Sequence, residues 1–340
     1  MFRKTVSFSF LICAVSLLLG VAAMASQNLL YVGNSRGDDI SIIDLSSFKV
    51  VGNIKLGDRV HGVAVQPDGK RLFVTVESDH TLRIVDTETR QIIGTVKVSG
   101  RPNQIAVTPD GKYVVVPIRD GDKVDIVDVA KQDVVKSLPI KEPHNALNTG
   151  SNRYIYVSSM GSHEIDLIDL EKMDYAAVIP AGGRPRPYVV SSDGKTMFVA
   201  VADLHGFDIV DILEKRVLER VEMPAEHPPH PLQYETADTR THGLALTPDG
   251  RELWVTSLLD DCVYIYDVAA RKFVGKVPTG AGPNWLAFTP DGKYLCVSNA
   301  DSDDVSIIDV KTRHEVTKIK VGKAPKRIAV GSPPSRHAMR

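Results

Sequence analysis

Histidine is sparse in this chain, ten among 340 residues, yet three occupy matched points of a repeating pattern. At the start of each repeat the chain places one polar residue: His61, Asn103, His144, Arg186, His242, Asn284 and Lys326. Neutral imidazoles bind transition metals, and three converging ring nitrogens with one open position make a reactive metal centre. His61, His144 and His242 are the candidate ligands for such an ion. The same imidazoles could supply an axial nitrogen to a haem-type tetrapyrrole or face another small anionic ligand. In that case Arg101, Arg184, Arg186 and Arg240 would hold its carboxylates bidentately. A plainer reading is that these positions open onto a solvated channel, where polar residues persist for lack of anything to bury them. Other chemistry is excluded by absence. No Cys-x-x-Cys-His attaches a c-type haem, and no Gly-x-Ser-x-Gly elbow, phosphate loop or Gly-x-Gly-x-x-Gly follows a strand.

The elements that position these residues follow from the repeat. An apolar residue followed by aspartate recurs at Asp44, Asp86, Asp128, Asp169, Asp211, Asp267 and Asp309, at intervals of 42, 42, 41, 42, 56 and 42 residues. Pro-Asp-Gly, or Ser-Asp-Gly, keeps the same beat at Asp68, Asp110, Asp193, Asp249 and Asp291. Between these markers lie four short β-rich runs, as in 62–65, 71–74, 81–85 and 92–96, which predict a four-stranded meander. Such a unit cannot bury both faces alone, so the copies must stack, and stacked radially they form a propeller. The fold predicted is an all-β, seven-bladed β-propeller with four-stranded antiparallel blades. The first copy lacks its first strand, and Arg327 to Val330 form a first strand with nothing after it. The last strand is therefore expected to complete the first blade and remove two open edges. The seven aspartates are read as turn residues, and the acidic loops at 37–39 and 301–304 as solvated turns rather than calcium sites.

On this register eight of the ten histidines face one mouth of the ring. They include His80, His163 and His205 in loops, and His227 and His230 in an insertion at 224–234 that accounts for the 56-residue interval. Long loops on a rigid scaffold often carry binding function. Trp254 and Trp285 are expected to pack between blades.

The remaining features give an address. Arg3 and Lys4 precede an apolar run at 8–23, and Ala23-Met24-Ala25 forms a cleavage motif, so residues 1–25 are read as a secretory signal peptide cut after Ala25. Residues 26–331 are then the propeller and 332–340 a disordered tail. Loss of two cations from the 41 basic residues leaves 39 against 42 acidic ones, a net charge of −3. This balance argues against a nucleic-acid partner. No later run is apolar enough to span a membrane, so a periplasmic or secreted protein is expected. Cys262 and Cys296 are read as buried thiols, too few for a disulfide framework.

The runs Tyr31 to Asn34, Phe73 to Val76, Trp254 to Ser257 and Cys296 to Asn299, with Val305 to Asp309 after the last, resemble degenerate copies of the YVTN β-propeller repeat. The resemblance covers almost all of residues 27–330 and overlaps the wider cytochrome-d1-like propeller group. It implies a bacterial or archaeal source, and the uninterrupted repeat, the missing enzyme motifs and the exported address are read as a binding or scaffold module with a protein partner in a periplasmic, redox-linked complex. Haem binding or a redox subunit is a second reading, raised by the resemblance, and a lactonase- or lyase-like enzyme using scattered His and Glu at the mouth is a third. The motif is specific for fold and says little of function.

Overall fold

The computed structural model describes residues 28–227, 232–234 and 239–331. The signal peptide and tail expected at 1–25 and 332–340 lie outside these residues, as does part of the insertion, His230 included. Among the described residues there are 28 strands, assembled as seven four-stranded antiparallel sheets. The sheets are the predicted blades. In blade 1 the strand Pro325–Gly331 pairs with Leu29–Asn34, with Leu30 opposite Val330 and Val32 opposite Ile328. The chain's end thus supplies the inner strand its beginning lacks, and the ring closes.

Each blade turns back by the chemistry its repeat encodes. At the Pro-Asp-Gly turns Gly69, Gly111, Gly250 and Gly292 have φ of 73°, 69°, 70° and 67°, a region glycine enters without steric penalty. The turn aspartate accepts from the backbone N–H two residues on, Asp68 from Lys70 and Asp291 from Lys293. The marker aspartates accept likewise from N–H groups two or three residues on, between third and fourth strands. Asp44 accepts from Ser46 N–H, Asp86 from Thr89 N–H and Asp309 from Thr312 N–H. They are turn formers, as expected.

Packing between blades supplies the core. Leu30, Val32 and Ile43 of blade 1 meet Cys296, Val305 and Ile307 of blade 7, so the closing seam is as apolar as any other. Phe73 and Ile84 of blade 2 pack on Val114 and Val116 of blade 3 in the same way. Burying one such side chain stabilises by about 1.5–3 kcal/mol. Fourth strands face solvent on one side, and in His314–Lys320 the exposed positions include Lys318 and Lys320, which discourage edge pairing with another chain. Trp254 is fully buried with its ring edge-on to Phe288. Cys262 and Cys296 are both buried and unbridged, and burial pushes each thiol up to about 12.

Candidate functional site

The inner strands deliver the seven polar residues to one opening because their first residues bulge. In six blades the register between inner and second strand shifts there, between Val60 and Val63 and between Thr241 and Leu244, for example. A bulge re-aims side chains and takes a backbone N–H out of the ladder. A hydroxyl on the second strand accepts that N–H instead. Gly62 donates to Thr75 at 2.6 Å, Asn145 to Ser158 at 2.9 Å, Gly243 to Thr256 at 2.8 Å and Trp285 to Ser298 at 3.1 Å. Thr75, Thr256 and Ser298 are the third residues of three of the four-residue runs noted in the sequence, which gives the Thr or Ser there a structural purpose. Thr75 and Ser298 also donate onward to Asn103 O and Lys326 O of the next blade. Gly62 is required by close approach, since a Cβ there would stand 2.4 Å from Asn103 O.

The opening holds a cavity of about 390 Å³. Its described lining includes Arg36, Arg59, Arg101, Arg119, Arg186, Arg327 and Lys326, three imidazoles (His61, His144 and His242) and one carboxylate, Glu77. Among the described residues seven cations face one carboxylate behind low-dielectric walls, a balance that concentrates negative ligands.

Two arrangements within the cavity are distinct. Toward one side His61 Nδ1 lies 3.0 Å from Glu77 Oε1, and Arg101 Nη2 lies 3.1 Å from Glu77 Oε2. Burial opposes ionisation of Glu77, but its contacts with His61 and Arg101 outweigh that and hold the carboxyl at about 2. Burial lowers His61 below the usual imidazole value despite Glu77, with Arg327 and Lys326 adding to the effect. His61 is therefore neutral at pH 7. Its Nδ1–H donates to the carboxylate, and Nε2, which has no hydrogen-bond partner, carries a lone pair in the cavity wall. The other arrangement surrounds His144, whose ring lies 6.1 Å from that of His242. Burial first, then the positive charges of Arg186 and Arg327, lower His144 well below the usual range. Arg327 is held by a bond to Asn284 Oδ1 at 3.0 Å and lies 4.4 Å over the Trp285 ring.

Comparison with known proteins now bears on this geometry. Residues 136–334 match the family model described as Lactonase, 7-bladed beta-propeller, which spans more than half of the chain. The chain belongs to this lactonase family. Residues 7–142 match a second model, YNCE-like beta-propeller. No curated protein matches the chain. Among solved structures the lactonase-family propeller is similar to Kuenenia stuttgartiensis hydrazine synthase, with 22% identity, a TM-score of 0.71, and coverage of 83% of this chain and 92% of that one. It is also similar to a functionally unknown protein from Desulfotomaculum acetoxidans, with 16% identity, a TM-score of 0.75, and coverage of 90% and 100%. A third similarity is to the dihydro-haem d1 dehydrogenase NirN, with 14% identity, a TM-score of 0.65, and coverage of 87% of this chain but only 64% of that one. At these identities the likeness is one of fold.

The lactonase-family cavity gathers some of the sequence candidates and leaves others aside. His61, His144, His242, Arg101 and Arg186 line it, whereas Arg184 pairs with Glu142 outside it and Arg240 is not in its wall. Among the described residues no group of three or more His, Cys, Asp or Glu is arranged to hold a metal ion, and the cations around the imidazoles repel one. Of the seven described among the eight histidines expected at the mouth, three line the cavity. His205 instead meets Ser257 at 2.8 Å, and His227 meets Asp260 at 3.2 Å. His80 and His163 sit in turns with φ of 56° and 60°. Glu77 and Arg119 were missed by sequence reasoning, although a signal exists. The residue just after each second strand is Ser35, Glu77, Arg119, Met160, Ala202, Leu258 and Ala300, polar in blades 1–3 and apolar in the rest. The three polar ones all line the cavity.

Proposed function

We propose that this protein is an exported binding propeller that takes a small organic molecule carrying two or more negative groups into its channel mouth. The cavity wall carries the reading: seven cations and one carboxylate among its described residues. Export after cleavage at Ala25, repeats of the YVTN type, and a protein partner in a redox-linked periplasmic complex complete the proposal. The likeness in fold to a hydrazine synthase and a haem d1 dehydrogenase supports the redox setting. A carboxylated tetrapyrrole is one ligand of this class. Arg101 and Arg186 would hold its carboxylates beside His144 and His242, and when bound it would supply redox chemistry.

Isothermal titration with di- and tricarboxylates, sugar phosphates and neutral analogues tests the reading. Multiply charged anions should bind and weaken with added salt, and Arg101→Met should cost about tenfold in affinity, the scale of one charge-assisted hydrogen bond. Neutral analogues binding as tightly as the anions would overturn it.

A second reading, hydrolysis of an anionic lactone, is favoured by the family and by one observation, the neutral His61 oriented by Glu77. Its Nε2 would deprotonate the attacking water while guanidiniums stabilise the developing oxyanion. Ring opening followed by pH-stat, abolished in His61→Gln, is the expected result. An unchanged rate in that variant would remove this reading.

A further inference from the structure

The connection from blade 5 to blade 6 is longer than its counterparts. Residues 56–59, 140–142, 279–282 and 321–324 each carry the chain from a fourth strand to the next inner strand, whereas residues 223–240 separate Arg216–Glu222 from Thr241–Leu246. The described residues of this insertion are pinned to three successive blades. In blade 6 Asp260, whose side chain is 1% exposed, accepts from the Glu226 and His227 N–H groups at 3.2 and 3.1 Å and meets His227 Nδ1 at 3.2 Å. In blade 7 Asp301 Oδ2 accepts from Gln233 N–H at 3.2 Å. In blade 1 Lys326 Nζ donates to Tyr234 O at 2.7 Å, and the Arg36 guanidinium lies 5.8 Å from the centre of the Tyr234 ring. Gln233 Nε2 donates to the Tyr234 hydroxyl at 2.8 Å and braces that ring. Gln233 and Tyr234 thus stand in the cavity wall, whereas Asp260 is not part of it.

Both groups that Tyr234 engages are cations of the mouth. A carbonyl oxygen on an ammonium and an aromatic face under a guanidinium are contacts of the kind an anionic organic ligand makes. We propose that Tyr234 is a built-in competitor of the anion: ligand and the segment Gln233 to Tyr234 exclude one another at Lys326 and Arg36. This rests on the anion-binding reading above and adds a self-inhibitory contact to it. A carboxylate or phosphate brings a Coulomb attraction to the ammonium that the neutral Tyr234 carbonyl lacks. Such a ligand therefore displaces the carbonyl from Lys326, and a neutral molecule does not. The bonds at Asp260 lie away from the cavity wall and keep that end of the insertion attached while Tyr234 leaves. Net affinity for the anion is then set by the difference between the two sets of contacts at these cations.

The test uses the full mature protein, with citrate and glycerol phosphate as probes and glycerol as the neutral control. Hydrogen exchange read by mass spectrometry follows the Gln233 amide, whose bond to Asp301 slows its exchange. A saturating anion should speed exchange in the peptide holding Gln233 and Tyr234 about tenfold, and leave that of Glu226 and His227 unchanged. Glycerol should alter neither. Isothermal titration then compares affinities. Deletion of residues 225–238, which restores the 42-residue interval, should tighten anion binding about tenfold, the scale of one hydrogen bond to a charged group. Tyr234→Ala keeps the carbonyl but loses the ring, and should tighten binding by a smaller factor. Circular dichroism confirms the fold of each, and the point variant carries the test should the deletion fail to fold. Slower exchange at Gln233 with anion bound, or weaker binding by Tyr234→Ala, would show the segment helping to hold the ligand. Either result would overturn the competition and leave the anion reading intact, as would unchanged affinity in every folded variant. Anion binding by the deletion variant alone would be the competition in its strongest form. Failure of both anions with the wild type and with every folded variant would overturn both readings.

Discussion

Asp166 offers a quantitative check on the energetics of this ring. It lies in the third strand of blade 4, is 5% exposed, and stands opposite Val157 and Val178 in the sheet. At the equivalent point of blade 3, Asp125 accepts from Ser99 and Ser137, and in blade 5 Asp208 accepts from Arg220 at 2.9 Å. Val178 stands where those blades place Ser137 and Arg220, and it offers no donor. Burial therefore pushes the Asp166 carboxyl up from 3.8 to about 7, with Glu164 adding repulsion. A folded-state value above the unfolded one means stability that is present below about pH 4 and is lost as pH rises through 7. Three units correspond to about 4 kcal/mol, and residual solvation reduces this to about 2 kcal/mol. Asp166→Asn removes the ionisation while keeping the shape. Urea unfolding at pH 4, 6 and 8 should show equal stability at pH 4 and a variant about 2 kcal/mol more stable at pH 8. A variant less stable at pH 8, or a difference independent of pH, would refute the reasoning.

Other perturbations test the bulge and the mouth. Thr256→Val leaves the buried Gly243 N–H without an acceptor and should cost about 1–3 kcal/mol in urea unfolding. Gly62→Ala forces Cβ against Asn103 O and should destabilise by about 1–3 kcal/mol; a neutral result would mean the inner strands can separate freely. Arg101→Met should raise the Glu77 carboxyl from about 2 toward the ordinary carboxylate range, read by carbon-detected NMR titration. Since that carboxylate helps hold a proton on His61, Glu77→Gln should lower the His61 value further, seen in the same experiment.

The architecture was legible because its determinants are local and repeated. Aspartate and glycine fix each turn within four residues, and alternation fixes the strands. The orphan strand at Arg327 to Val330 announced the closure. The ring of His61, Asn103, His144, Arg186, His242, Asn284 and Lys326 was legible for the same reason, being one position of the repeat. The balance of charge at the mouth was not. Arg36 and Arg119 come from loops after second strands and Arg59 from the loop before an inner strand, and no single register joins them. Arg327 was masked by its neighbour Lys326, because only the bulge brings both into the wall. The histidines expected on one face divide between cavity and rim for a related reason. Sharing a rim is not sharing a cavity: His205 Nε2 meets Ser257 and His227 Nδ1 meets Asp260.

The closing strand has a consequence for when the protein becomes competent. Lys326 and Arg327 sit on the last strand of the chain, so two of the seven cations reach the mouth only after that strand docks against the first. A chain truncated before residue 325 would lose ring closure and much of its hold on ligand in one stroke. Ligand, in turn, would favour the docked strand by mass action. Recognition at the mouth thus reports that the strand Pro325–Gly331 has docked on Leu29–Asn34 and that the ring is shut.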